Sequence, residues 1–118
     1  MVTELDDDSK AKVVHLILGK APERALEFLA TLYKVKSPKL RVGTVKKHRK
    51  TALAVFVHKD NTIYLSNSDL LYNPFVLLHE FYHHIRTNFG VHRGTERNAD
   101  AFAKDFVDSY RRRQEKQS

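Results

Sequence analysis

The chain has 118 residues, no cysteine, and 21 Lys and Arg against 14 Asp and Glu, for a formal net charge of +7. That length suits one domain whose core is stable without cross-links, and the lack of thiols excludes a disulfide framework and a thiolate metal site. Any transition metal must therefore be held by imidazole and carboxylate, and the basic excess makes nucleic acid a partner class to weigh.

The first ten positions carry Glu4, Asp6, Asp7 and Asp8, and the first apolar run, 13–18, is short and interrupted by His15. This reads as neither a signal peptide nor a membrane span, so a soluble, cytoplasmic protein is expected. Ser9 is a candidate cap for a first helix over about 10–20 that buries Val13, Val14, Leu16 and Ile17. Pro22 suits the first turn of a second helix, and its stripe of Ala25, Leu26, Phe28, Leu29, Leu32 and Tyr33 runs on until Ser37-Pro38.

The middle of the chain changes character. Segments 40–46 and 53–58 are rich in β-branched residues, and the basic Lys46-Lys47-His48-Arg49-Lys50 between them reads as a hairpin turn. Asp60-Asn61 makes a second turn before 62–65, so a small, twisted antiparallel sheet of about three strands is expected. Segment 62–66 is the candidate edge strand, able to take an extended peptide by strand addition.

Asn73 caps the next helix, with Pro74 at its first position, and the helix should end near Asn88-Phe89-Gly90. On it lies His79-Glu80-Phe81-Tyr82-His83, an H-E-x-x-H pattern. Residues four apart on a helix sit one turn and about 40° apart, so both imidazoles can converge on one ion. Glu80 is too far round to ligate well, yet close enough to handle a water at the metal. A shuffled chain of this composition contains the pattern with probability roughly 0.02, so its context must carry the assignment.

After the linker Val91-His92-Arg93-Gly94, Thr95 caps a last helix to about Arg113, with apolar positions Ala99, Phe102, Ala103, Phe106, Val107 and Tyr110. Glu96 and Asp100 continue that stripe toward its amino end, which predicts two core-facing carboxylates, and a metal ion removes the cost of burying them. Glu96, 13 residues after His83, is the expected third ligand. Asp100 is the expected acceptor for the second ring N–H of a liganding histidine, with His79 as its partner. His92 is an alternative third ligand or, with Arg93, Tyr64 or Tyr72, a candidate donor to the reacting oxyanion. His84 reads as a packed or surface histidine, and His15, His48 and His58 stand alone.

His79-Glu80-x-x-His83 followed by Glu96-x-x-x-Asp100 resembles the gluzincin pattern of zinc metallopeptidases. A metzincin would need a glycine and a third histidine where this chain has Arg86 and Phe89. In size and layout the chain is most similar to the minigluzincins, small soluble archaeal proteins resembling the catalytic cores of integral membrane peptidases. The run from Glu96 to Ala103 also resembles the ImmA/IrrE group, some of which act on DNA-binding repressors, and SprT-like proteases are a more distant comparison. The resemblance to the minigluzincins implies a zincin-like scaffold and a metalloendopeptidase that is latent when a terminal segment crosses its cleft. Segments 1–8 and 114–118 are expected to be flexible tails or to supply that segment.

The expected fold is thus α+β: two amino-terminal helices, a small sheet, the H-E-x-x-H helix and a glutamate helix. His79, His83 and Glu96 would hold Zn²⁺, which activates a water and polarises the scissile carbonyl. Glu80 would take the water proton and return it to the leaving amine of an extended peptide. The alternatives are a catalytically silent zinc scaffold and a nucleic-acid or repressor-binding module that uses 46–50 and Arg111-Arg112-Arg113.

Overall fold

A computed structural model describes residues 5–43, 53–88 and 94–117. The architecture is α+β. Helices α1 (Asp7–Leu18) and α2 (Pro22–Tyr33) lead into strands β1 (Lys39–Val42), β2 (Ala54–Val57) and β3 (Thr62–Leu65), followed by helices α3 (Pro74–Asn88) and α4 (Glu96–Gln117). Short 3-10 turns over His58–Asp60 and Ser68–Tyr72 flank β3.

Helix α1 begins earlier than Ser9 suggests. Asp6 is the cap, and its carboxylate accepts from the Ser9 amide at 2.8 Å, so Ser9 supplies the donor instead of the cap. Both residue types cap well, but the earlier start puts Asp7 and Asp8 in the first turn, where the helix dipole favours anions. From there Asp7 accepts from Ser109 Oγ at 3.0 Å and pairs with Arg112, and Asp8 pairs with Arg113. Lys10 reaches Asp105 at 2.6 Å. α1 and α4 are thereby locked side by side. Helix α2 starts on Pro22, as its fixed φ predicts, and ends at Lys34, whose φ of 58° turns the chain toward the sheet.

The sheet differs from the expected meander. Its order is β1-β3-β2, with β1 parallel to β3 and β2 antiparallel to it. β1 and β2 are not neighbours, so they form no hairpin, and the basic run 46–50 lies outside the described residues. β3, proposed above as an edge, is the central strand. The reason is burial: Thr62, Ile63 and Leu65 are all buried, whereas three of the four residues of β1 are exposed. The strand with most to bury takes the middle, and the long connection between β1 and β2 leaves room for β3 to enter between them.

One core joins all the layers. Val13, Val14 and Ile17 of α1 meet Leu26 and Leu29 of α2, Phe56, Ile63 and Leu65 of the sheet, and Leu77, Leu78, Phe81 and Ile85 of α3. Ala103 and Phe106 bring in α4, and Tyr33 packs its ring 5.9 Å from that of Phe81. Leu16, expected inside, is only partly buried, and Ala11 takes the inward position instead. No helix among the described residues is long and apolar enough to cross a membrane.

Candidate metal centre

Helix α3 starts where its sequence says it should. Asn73 Oδ1 accepts from the Val76 amide at 3.2 Å, and Pro74 occupies the first turn, where no amide is needed. This sets the phase that carries Leu77, Leu78, Phe81 and Ile85 into the core and leaves His79 at its border. One turn later His83 is wholly buried. The two imidazoles meet edge to face, with centroids 5.1 Å apart and planes at 76°.

The third member comes from α4. Thr95 Oγ1 accepts from the Asn98 amide at 3.1 Å, which fixes the start of the helix and puts Glu96 at its first position. The Glu96 carboxylate then spans both imidazoles: Oε2 is 2.7 Å from His79 Nε2, and Oε1 is 2.9 Å from His83 Nε2. The ligand atoms of His79, His83 and Glu96 lie within 4.8 Å of one another, and the three residues form a group able to hold a metal ion. The donor set, two imidazole nitrogens and a carboxylate with no competing thiolate, fits a borderline cation.

Two further contacts frame the group. His79 lies between two carboxylates, with Nδ1 2.7 Å from Asp100 Oδ1 and Nε2 2.7 Å from Glu96 Oε2, so a metal at Nε2 would leave the ring proton on Nδ1, facing Asp100. Glu80 is buried against the sheet. Its Oε1 accepts from the Phe56 amide of β2 at 2.9 Å, and its Oε2 lies 3.7 Å from His79 Nε2. One oxygen is thus anchored while the other faces the cluster.

The carboxylates of α4 correct one expectation. Glu96 and Asp100 do not face the core: their side chains are 73% and 58% exposed. Each precedes a buried alanine, Ala99 or Ala103, by three residues, which puts it about 60° round the helix from that alanine. At the edge of the stripe they overhang α3 instead of entering the protein. The burial argument therefore does not explain them, whereas their distances to His79 and His83 do.

A cleft of about 320 Å³ opens beside the cluster, lined by Leu53, Ala54, Phe75 and Val76 as well as His79, Glu80, Glu96 and Asp100. Comparison with protein-family models, curated proteins and solved structures finds no match.

Other candidates fall away from the cleft. Tyr64 Oη donates to Asp60 at 2.9 Å, and the Tyr72 ring lies under Lys20 Nζ, so neither tyrosine lines the cleft. His92 and Arg93 lie outside the described residues. His84 is a fully buried packing histidine. Its Nε2 donates to Lys36 O at 2.7 Å, and its Nδ1 sits 2.9 Å from Asn88 Nδ2. Burial lowers its pKa, partly offset by the hydrogen bond to Lys36 and reinforced by His58. Among the described residues of the two expected tail segments, none lines the cleft, and residues 1–4 and 118 lie outside the described residues. Residues 114–117 continue α4, whose far end is about 30 Å from Glu96, and Asp6, Asp7 and Asp8 sit at the cap and first turn of α1.

Sequence reasoning missed the Phe56 amide. A backbone donor from a distant strand carries no residue signature, and only the placement of β2 over α3 brings it to Glu80. It also missed Gly94, whose φ of +87° and contact with Tyr82 set the entry to α4. The signal there was a glycine just before a helix cap.

Proposed function

We propose that the protein is a zinc-dependent peptidase of gluzincin type, with His79, His83 and Glu96 as metal ligands. The observation that carries this reading is the single Glu96 carboxylate lying within 3 Å of both Nε2 atoms, with Glu80 anchored alongside. Three protein donors of this kind leave a tetrahedral zinc one open position, the mark of a hydrolytic site. Zinc there supplies the Lewis acidity that makes water nucleophilic at neutral pH and polarises a carbonyl.

The rest belongs to the chain. Glu80 Oε2 takes a proton from the attacking water and returns it to the leaving amine, while the Phe56 amide keeps the carboxylate from turning away. Asp100 holds His79 in the tautomer that offers Nε2. The substrate lies along β2, which replaces 62–66 as the edge beside the site. The Phe56 amide points away from β3, so by the two-residue period the N–H and C=O of Ala54 also point outward, into the cleft that Ala54 lines. An extended peptide pairs there by strand addition, and the exposed Leu53 and Phe75 favour an apolar side chain near the cleaved bond.

The alternative of nucleic-acid binding loses support in the described part of the basic surface, because Arg112 and Arg113 are paired with Asp7 and Asp8. The test measures zinc content and cleavage of an unstructured protein by the wild type, Glu80→Gln and Glu96→Ala. Glu80→Gln should keep zinc and lose cleavage by a factor on the order of 10²–10⁴, and Glu96→Ala should fall below stoichiometric zinc, keeping only the weak binding of two imidazoles. Stoichiometric zinc with no cleavage by the wild type would leave a silent metal scaffold in place of a peptidase.

A further inference from the structure

Gly94 stands two residues before Glu96, at the point where the chain turns into α4. Its φ of +87° lies in the region that L side chains rarely adopt. A Cβ built on it would sit 2.6 Å from Tyr82 Cε2 and 3.2 Å from both Cζ and Oη of the same ring, a clash even before the strain of the backbone is counted. Tyr82 is one of the two unspecified positions of H-E-x-x-H, immediately before His83.

The Tyr82 ring touches more than the glycine. It packs edge to face against His83 with centroids 5.9 Å apart and lies 5.5 Å from the ring of Phe102 on α4. It therefore meets the incoming chain on both sides of the residues that matter: at Gly94, before Glu96, and at Phe102, after Asp100. Both carboxylates project from the stretch between those two contacts, and both reach imidazoles of α3 at 2.7 Å.

We infer that the Tyr82–Gly94 contact is a positioning device for the metal centre, setting the height of α4 against α3 so that Glu96 spans His79 and His83. Glu96 is largely exposed, so its place depends on the backbone that carries it as well as on its contacts with His79 and His83. That backbone meets the Tyr82 ring at Gly94, where an added Cβ would force the ring or the chain to shift. A displacement of an ångström at residue 94 moves the carboxylate by a comparable amount, which is enough to take one of its oxygens out of ligand distance.

The inference rests on the metal-ligand reading of Glu96, and a double-mutant cycle separates the two. Zn²⁺ affinity is measured by competition with a chromophoric chelator for the wild type, Gly94→Ala, Glu96→Ala and the double variant, and Co²⁺ absorption reports the ligand geometry. Thermal unfolding of each metal-free chain checks that it is folded. Gly94→Ala should weaken Zn²⁺ by roughly 10–100-fold, the scale of a lost ligand support, and should alter the Co²⁺ spectrum. In the Glu96→Ala background the same change should have little effect, because the residue it positions is gone.

Equal losses from Gly94→Ala in both backgrounds, or none in the wild type, would overturn the positioning role while leaving Glu96 as a ligand. Failure of the wild type to bind Zn²⁺ would instead overturn the metal reading itself. Should Gly94→Ala fail to fold, Tyr82→Leu keeps the glycine and removes the ring, and it must show the same dependence on Glu96. Tyr82→Phe, which keeps the ring, should bind Zn²⁺ like the wild type.

Discussion

At the scale of single residues, the centre is built from groups that each hold another in place. Asp100 is itself exposed, yet it acts on a histidine whose side chain is mostly covered. Its oxygen lies 2.7 Å from Nδ1, and on the metal-ligand reading it holds the proton there so that Nε2 is left for the ion. Asp100→Ala should therefore lower Zn²⁺ affinity by roughly 10–100-fold without removing a ligand. Competition titration at fixed pH measures it, and a change below twofold would show that His79 orients without Asp100. Glu80 depends on the sheet in the same way, since its Oε1 accepts from the Phe56 amide, and on the proposed reading Oε2 is the oxygen that moves a proton.

At the scale of elements, α4 does two jobs at opposite ends. Its first turns face α3 and the candidate metal centre, and its second half is tied to α1. Asp7 is the hub of that tie. The hydrogen bond from Ser109, with smaller help from Arg112 and Lys10, holds its carboxyl below the ordinary 3.8. A depressed folded pKa means that the contribution is fully present above the unfolded value and is lost as pH falls through the folded one. Wild-type melting temperature should thus drop more steeply below about pH 4 than that of Asp7→Asn, which has no carboxyl to protonate. Parallel curves from pH 5 to pH 2.5 would show that the exposed cluster adds nothing, as many surface ion pairs do. The elements themselves were largely legible: Pro22, Asn73-Pro74 and Thr95 mark helix starts within a residue of those observed. The start of α1 was misplaced because Asp6 and Ser9 are equally good caps three residues apart, and only the contacts of Asp7 with α4 favour the earlier one.

At the scale of the whole molecule, a metal held by His79, His83 and Glu96 would be coupled to the fold, because the group lies where α3 and α4 meet. A metal bound only by the folded chain stabilises it by about 2.7 kcal/mol at a hundredfold excess over its dissociation constant. Adding a strong chelator should lower the melting temperature of the zinc-loaded wild type by roughly 10 °C, since about 1 kcal/mol shifts a domain near this size by about 4 °C. The same chelator should leave Glu96→Ala nearly unmoved. Identical shifts in the two proteins would place the metal elsewhere.

By itself the sequence determined the α+β class, the order of the elements and the five residues to watch. Each of those follows from local rules: helix periodicity, caps, and a four-residue spacing that must put two imidazoles on one face. The tertiary structure alone decided that β3 lies between β1 and β2, which makes β2 the edge beside the site, and that the Phe56 amide anchors Glu80. It also decided that Glu96 and Asp100 overhang α3 from an exposed edge of α4. These are contacts between segments far apart in the chain, selected by which strand and which helix face gain most from burial, and no short stretch of residues encodes that competition.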